Sequence, residues 1–283
     1  MRFLFVSRIQ DITGEKIKGQ VDFSAGEPWR RITSDNKTEI STSVVSEAVG
    51  QLVSWMALRD NKFTGRPVFL FATQIDLGGT VPAPGTVDLE AWISNRSEDS
   101  FIFSGTAKVG GKTVVEIKEC GGYFMPLAEL EDPEVTRKRF ETLSAGGLPA
   151  NPAGEAFNFS GLVDQVVEME PGKSIKTAKA MKKDEPFYAD HFPRFPVTPI
   201  VVINEMIAEA TRRMMTKDSA KPAVIHPIAV QDLKIKSFIR PGDTAIIQSK
   251  VTETNGDEFE TVSEILVNEK RILRGRYRYR QSQ

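Results

Sequence analysis

The feature that most constrains the fold of this 283-residue chain is a long internal repeat. Landmarks of the first half return in the second half at an offset of 158 residues, or of 157 for the last pair. They are Gly14 and Gly172, Glu27-Pro28-Trp29 and Glu185-Pro186-Phe187, Glu47 and Glu205, Val109 and Val267, and Pro84-Gly85 and Pro241-Gly242. A repeat of this length indicates that one structural unit, of about 125 residues, occurs twice.

Each copy shows the same order of predicted elements: two strands, one apolar helix, then several strands. The helix of the first copy is predicted from about Ser43 to Leu58, and that of the second begins at Pro199, which suits a first helical turn. The predicted strands are 2–9, 15–25, 67–77, 86–94, 100–109 and 112–125 in the first copy, and 161–169, 173–182, 228–239, 244–254, 258–268 and 271–280 in the second. Both helices are apolar on nearly all sides, which is typical of buried helices. The pattern therefore predicts an α+β fold with an antiparallel sheet around one long central helix in each copy.

A different kind of segment separates the two copies. Asp132 and Pro133 are typical of the N-cap and first turn of a helix, here a short charged one. Residues 144–154 (SAGGLPANPAG) are small or proline and show no periodicity, which is typical of a linker. The predicted domains are residues 1–126, a short helix and linker over 127–156, and residues 157–283.

Composition excludes several classes of protein. The chain is 40% hydrophobic and 27% charged, with a formal net charge of −1, so bulk charge indicates no nucleic-acid partner. The single cysteine, Cys120, excludes an internal disulfide and a thiol metal cluster, and we interpret it as a buried thiol on a strand. No stretch approaches the roughly 20 apolar residues that span a bilayer. The first residues are too briefly apolar for a signal peptide. We therefore expect a cytoplasmic protein without a metal, and homo-oligomerisation is left open.

The residues that point most directly to chemistry surround His191, one of two histidines. Pro193, Pro196 and Pro199 follow it and exclude a continuous helix, so His191 should lie on a loop beside a helix N-terminus. A histidine and free backbone N–H groups at such a place could hold and polarise a carbonyl. The equivalent position of the first copy is Thr33, so only one copy carries the base.

Residues 161–209 resemble the β-hydroxyacyl-acyl-carrier-protein dehydratases of fatty acid synthesis. That family's signature is His-Phe-Pro-Gly, then Pro, then Pro-Gly, then an apolar helix with an acid. The matching positions are His191-Phe192-Pro193, Pro196, Pro199 and Glu205. EPGK at 170–173 and RPGD at 240–243 are similar to further landmarks, and SEAVGQL at 46–52 resembles the family's helix around its acid. The resemblance implies a double hotdog fold, with two family subunits fused in one chain.

The resemblance also implies a reaction, the dehydration of a 3-hydroxyacyl thioester to the 2-enoyl thioester. One subunit of a family dimer gives the histidine and the other the helix acid, so His191 should meet Glu47, and Glu205 should be vestigial or structural. His191 would take the C2 proton, Glu47 would protonate the leaving hydroxyl, and the N–H of Ile200, after Pro199, would bind the thioester oxygen. No cofactor is implied, because phosphopantetheine or coenzyme A arrives with the substrate. The expected partner is acyl carrier protein or an acyl-coenzyme A.

Two departures from the family pattern keep alternatives open. Arg194 and Ile200 replace the two glycines of the signature, and Arg194 would either contact a phosphopantetheine phosphate or be solvated. The fold also occurs in thioesterases, and a non-catalytic acyl-chain binding or scaffold protein is a third hypothesis. In the final segment arginines alternate at 274, 276, 278 and 280, either as the solvated face of a last strand or as a docking surface for acyl carrier protein.

Overall fold

A computed structural model of the chain describes residues 3–32, 37–151, 153–216 and 223–282. The chain forms two compact units. Unit 1 contains Met1–Leu70, Leu77–Phe157 and Pro186–Pro196, and unit 2 contains Phe71–Asp76, Asn158–Glu185 and Val197–Gln283. The units are thus interleaved in sequence at 71–76 and 186–196. The predicted domains 1–126, 127–156 and 157–283 follow the sequence repeat, and they stay a prediction. Thr33, the sequence counterpart of His191, lies outside the described residues.

Unit 1 is built from strands around a long helix. Its elements are β1 (Arg8–Thr13), β2 (Lys16–Phe23), β3 (Arg30–Ile32), β4 (Thr38–Ile40), α1 (Thr42–Asp60), the first part of β5 (Gly65–Leu77), β6 (Gly85–Arg96), β7 (Ser100–Val109), β8 (Lys112–Pro126), α2 (Leu127–Leu130) and α3 (Pro133–Ala145). The strands are ordered β1-β2-β6-β7-β8-β5, and β3 and β4 form a separate hairpin. As predicted, Asp132 caps α3 by accepting the backbone N–H groups of Glu134 and Val135.

Helix α1 packs directly against the sheet of unit 1. Nearly all its residues from Ser43 to Leu58 are buried, and Ser41 caps its first turn by accepting the N–H of Ser43. At Gly105 of β7 an added Cβ would lie 2.5 Å from Val49 Cγ1, so only glycine permits this close approach of helix and strand. The apolar sides of α1 are therefore covered, as its composition predicts.

Unit 2 repeats the same arrangement. Its elements are β9 (Gln165–Glu170), β10 (Ser174–Ala180), α4 (Ile200–Met215), β11 (Val224–Ile235), β12 (Thr244–Asn255), β13 (Glu258–Val267) and β14 (Lys270–Ser282). Their order, β9-β10-β12-β13-β14-β11, matches that of unit 1 position by position. Helix α4 begins 158 residues after α1, and β13 begins 158 residues after β7. The structure thus contains the repeat that the sequence predicts.

Some predicted boundaries are wrong. The strand predicted at 2–9 is wrong over its described residues 3–7, because β1 begins only at Arg8 and extends to Thr13. Residues 3–7 are buried but lie outside the sheet, because their backbone bonds partly to side chains, as described below. The segment 26–42, for which no strand or helix is predicted, contains the short strands β3 and β4.

The segment predicted as a linker packs onto unit 1. Asn151 is buried and its side-chain amide donates to Glu27 Oε1 at 2.9 Å. The backbone N–H of Leu148 donates to Ser7 O at 2.7 Å, and that of Gly154 to Gly26 O at 3.0 Å. These bonds fix Leu148, Asn151 and Gly154 in place. Across the described part of the chain, none of the helices has the length and apolar character needed to cross a membrane.

Candidate active site

The loop that carries His191 belongs to unit 1, together with Glu47. A short 3-10 turn, Pro186–Ala189, precedes it, and the N–H of His191 donates to Phe187 O at 3.0 Å. The prolines keep the rest of the loop out of helix, as predicted, until α4 begins at Ile200. His191 is half-buried on this loop.

Two aromatic rings hold the imidazole of His191. The ring of Phe3 meets it edge-to-face with centroids 5.2 Å apart, and the ring of Phe192 stacks on it at 4.4 Å. The guanidinium of Arg66 lies 5.1 Å from the centroid of Phe192 and forms a salt bridge with Glu131. Because both groups of that ion pair are nearly buried, Arg66 supports Phe192 from a fixed position.

Glu47 is half-buried on α1, and its carboxylate is oriented by Gln51 one turn later. Gln51 Nε2 donates to Glu47 Oε1 at 3.2 Å. Burial raises the pKa of Glu47 from 4.5 to about 7, against weaker lowering by the Gln51 hydrogen bond and the charge of Arg66. The carboxyl can therefore carry a proton near neutral pH, which a general acid requires.

The acid helix and the histidine loop are connected through Phe3. Gln51 Nε2 also donates to Phe3 O at 3.3 Å, and Asp190 Oδ2 accepts the N–H of Phe3 at 2.9 Å. A continuous set of contacts thus runs from Glu47 through Gln51 and Phe3 to His191. Among the residues singled out by sequence, Phe192 stacks on His191, and both are linked to Glu47 through Phe3 and Gln51.

Arg194 is held by the segment that follows β8. Its guanidinium donates to Ala128 O at 2.9 Å and Glu131 O at 3.3 Å, and it pairs with Asp132 Oδ2 at 3.0 Å. Protein groups at α2 and α3 therefore engage Arg194, and its side chain stays about half-exposed. A role toward a phosphate stays a prediction.

Pro199, Ile200 and Glu205 belong to unit 2. Pro199 is the N-cap residue of α4 and gives no side-chain cap, and Ile200 is the first helical residue. The N–H groups of a first turn have no intrahelical acceptor, so Ile200 keeps the donor that the resemblance requires. Its role as the oxyanion donor stays a prediction. Glu205 is buried on α4.

Four side chains at this site were missed from the sequence: Phe3, Gln51, Arg66 and Asp190. Gln51 had a signal, since it lies four residues after Glu47 on the same face of α1. Arg66 and Glu131 are 65 residues apart, and no local pattern relates them. Cys120 is a free, buried thiol on β8, as predicted.

The arginines of the last strand, β14, face solvent but have carboxylate partners within unit 2. Arg274 pairs with Glu264, Arg276 with Asp232, and both Arg278 and Arg280 with Glu258. This pairing reduces the free positive charge, so it favours the ordinary outer face of a strand over a docking surface.

Comparison with solved structures identifies the class of fold. The dehydratase domain of PpsC from Mycobacterium tuberculosis, in complex with C12:1-CoA, superposes with a TM-score of 0.54 at 15% identity, covering 99% of this chain and 98% of that one. The 12:0-ACP thioesterase from Umbellularia californica gives 0.52 at 11% identity, covering 96% and 100%. At these identities the likeness concerns the fold alone, and it confirms the predicted double hotdog.

Sequence comparison then identifies the family. The ApeI-like dehydratase family (ApeI dehydratase) matches residues 167–270. The 3-hydroxyacyl-acyl-carrier-protein dehydratase FabZ of Rickettsia typhi is 31% identical over 108 residues, 38% of this chain and 74% of that protein. FabZ of Wolbachia pipientis wMel is 37% identical over 91 residues, 32% of this chain, and the match spans 64% of that protein's length. The chain belongs to the 3-hydroxyacyl-acyl-carrier-protein dehydratase family.

Proposed function

We propose that this protein removes water from a 3-hydroxyacyl thioester, carried on acyl carrier protein or coenzyme A, to give the trans-2-enoyl thioester. One observation carries the proposal: a histidine and a carboxyl that can hold a proton near pH 7 lie in one compact unit and are connected through Gln51 and Phe3. The dehydratase activity for which the FabZ relatives are named supports it.

In the proposed mechanism the two groups act on neighbouring carbons. The neutral imidazole of His191 takes the proton from C2, and the electron pair of that C–H bond forms the C2=C3 double bond. The C3–O bond breaks as Glu47 gives its proton to the hydroxyl, which leaves as water. The reaction ends with His191 protonated and Glu47 ionised, and proton exchange with solvent restores both.

The proposed mechanism also needs stabilisation of the thioester oxygen while C2 loses its proton. The N–H of Ile200 at the start of α4 is the donor that we propose, because a helix N-terminus favours developing negative charge. Phe192 would fix the orientation of the His191 imidazole by stacking on it. No cofactor beyond the phosphopantetheine or coenzyme A of the substrate takes part. Cytoplasmic location and homo-oligomerisation stay predictions from the sequence.

The test is to incubate the protein with 3-hydroxyacyl-coenzyme A and 3-hydroxyacyl-acyl carrier protein and to follow the absorbance of the conjugated enoyl product. We expect His191→Ala to lower kcat about 10²–10⁴-fold, the usual contribution of a general base. His226→Ala is the matched control, because His226 is exposed on β11 and has no role in the proposed mechanism. An unchanged rate in His191→Ala contradicts the proposal. Release of free thiol without enoyl product selects thioester hydrolysis instead, and acyl binding without turnover selects a binding protein.

A further inference from the structure

Residues 3–7, here called the buried strap, are a segment of unit 1 that belongs to no strand or helix. All five are at most 9% exposed. Ser7 joins the strap to β2 through its N–H, which donates to Gln20 O at 2.8 Å. A backbone buried without a sheet partner must satisfy its polar groups elsewhere, so the partners of Phe3 and Phe5 are informative.

The polar groups of the buried strap bond to side chains on both sides of the candidate site. The N–H of Phe3 donates to Asp190 Oδ2 at 2.9 Å, on the histidine loop. On the acid helix, Gln51 gives its amide N–H to Phe3 O at 3.3 Å and accepts the N–H of Phe5 at 2.9 Å. The peptide groups of the strap therefore link the residue before His191 to the residue that orients Glu47.

The aromatic side chains of the buried strap, Phe3 and Phe5, pack against a further pair of aromatic rings. The rings of Phe3 and Phe5 meet the fully buried Trp29 edge-to-face at 5.4 and 5.8 Å, and Trp29 stacks on Phe157 at 4.7 Å. The Phe3 ring that touches His191 thus has little freedom to move. With Phe192 stacked on the imidazole and Phe3 against it edge-to-face, rotation of the His191 ring is restricted.

We propose that the buried strap fixes the positions of the base, His191, and the acid, Glu47, relative to each other. Phe3 is then a positioning residue that acts through His191 and Gln51. The inference rests on the proposed function and deepens it, since it concerns the same site. Neither Phe3 nor Asp190 transfers a proton. Their effect is geometric, and displacing a catalytic group by about 1 Å can lower the rate about 10²-fold.

The experiment uses three variants and one matched control. Asp190→Ala removes the acceptor of the Phe3 N–H, Asp190→Asn keeps an oxygen acceptor there, and Phe3→Leu removes the ring but keeps an apolar side chain. Asp99→Ala makes the same change as Asp190→Ala in an exposed turn of unit 1. Each protein is assayed for kcat and KM in enoyl formation and for its thermal unfolding temperature.

A second readout does not depend on turnover. Diethyl pyrocarbonate modifies accessible neutral imidazoles, and mass spectrometry gives its rate at His191 relative to His226, the other histidine of the chain. His226 is exposed on β11 and serves as an internal reference in every variant. A released His191 ring should react faster, whereas the rate at His226 should not change.

We expect Asp190→Ala and Phe3→Leu to lower kcat about tenfold or more, with KM within about twofold, because orientation and not binding is lost. Both should raise the His191 to His226 reactivity ratio about threefold or more, since the ring gains freedom. Asp190→Asn and Asp99→Ala should stay near wild type. An unchanged kcat and an unchanged ratio in the folded variants overturn the inference, as does a lower unfolding temperature alone. If the wild type forms no enoyl product, the proposed function fails, while the reactivity ratio still decides the role of the strap.

Discussion

At the scale of single residues, the decisive feature is the protonation of Glu47. Desolvation favours its neutral form, while the Gln51 hydrogen bond and the charge of Arg66 favour the ionised form, and desolvation is the largest of the three. The balance brings the pKa to about 7, where a carboxyl can both hold and release a proton.

Glu47→Gln should remove both a proton donor and a source of pH dependence. The folded protein binds a proton at Glu47 up to pH about 7, whereas the unfolded chain releases it near 4.5. The free energy of unfolding should therefore fall as pH rises between these values, by up to about 3 kcal/mol. Wild-type activity should fall as pH rises through about 7, because the neutral acid is lost.

Urea unfolding at several pH values and the pH–rate profile measure these two effects. Glu47→Gln should flatten the stability profile between pH 4.5 and about 7 and lower kcat about 10²-fold or more. The control Glu98→Gln changes an exposed carboxyl and should keep the wild-type profiles. A Glu47→Gln profile with the wild-type slope would show that Glu47 does not titrate in this range.

At the scale of elements, regular apolar periodicity predicted the long helices and strands well. Segments of buried backbone without regular structure were not predicted. The helices α1 and α4 and the strands β5 to β8 appear close to the predicted bounds, because apolar spacing identifies long elements. Residues 3–7 were predicted as a strand, since an apolar run in an extended segment has the same sequence pattern whether or not it pairs. The segment 144–154 was predicted as a linker, because composition does not reveal the hydrogen bonds of Leu148 to Ser7 and of Gly154 to Gly26.

The contact of the histidine loop with α2 and α3 leads to a prediction for Arg194. Arg194→Ala removes two hydrogen bonds to carbonyl oxygens of the α2 segment and the ion pair with Asp132. Because the side chain is about half-exposed, we expect a loss of about 1–2 kcal/mol in the free energy of unfolding. Lys138→Ala, on the exposed surface of α3, is the control and should change stability by less than about 0.5 kcal/mol.

The same variant separates the two roles considered for Arg194. Its guanidinium is already engaged by protein groups, so we expect KM for the coenzyme A thioester to stay within about twofold of wild type. A large rise in KM without loss of stability would instead favour contact with a substrate phosphate.

At the scale of the whole molecule, the two hotdog units have the same architecture but differ in the candidate catalytic residues that they contain. Each has a central helix with an acid at the equivalent position, Glu47 or Glu205, and only unit 1 contains the histidine loop. The repeat in the sequence predicted the two helices and the equivalent strands. It did not predict that 71–76 and 186–196 would join the other unit, because that exchange depends on tertiary packing.

Glu205→Gln tests this asymmetry with the substitution used at Glu47. Glu205 has no role in the proposed mechanism, so the activity per folded molecule should stay within about twofold of wild type, against the large loss expected at Glu47. Circular dichroism and thermal unfolding establish the folded fraction, since Glu205 is only 2% exposed. Equal losses of kcat in the two variants would mean that the acids are equivalent.

The placement of residues 186–196 in unit 1 has a consequence for how activity depends on concentration. If the polypeptide were severed within residues 153–156, one fragment would hold Glu47 and the other His191, and turnover would require the fragments to meet. In the intact chain the covalent tether replaces that encounter by a fixed effective concentration. The specific activity of the intact chain should therefore not change on dilution, whereas that of a mixture of the two fragments should fall.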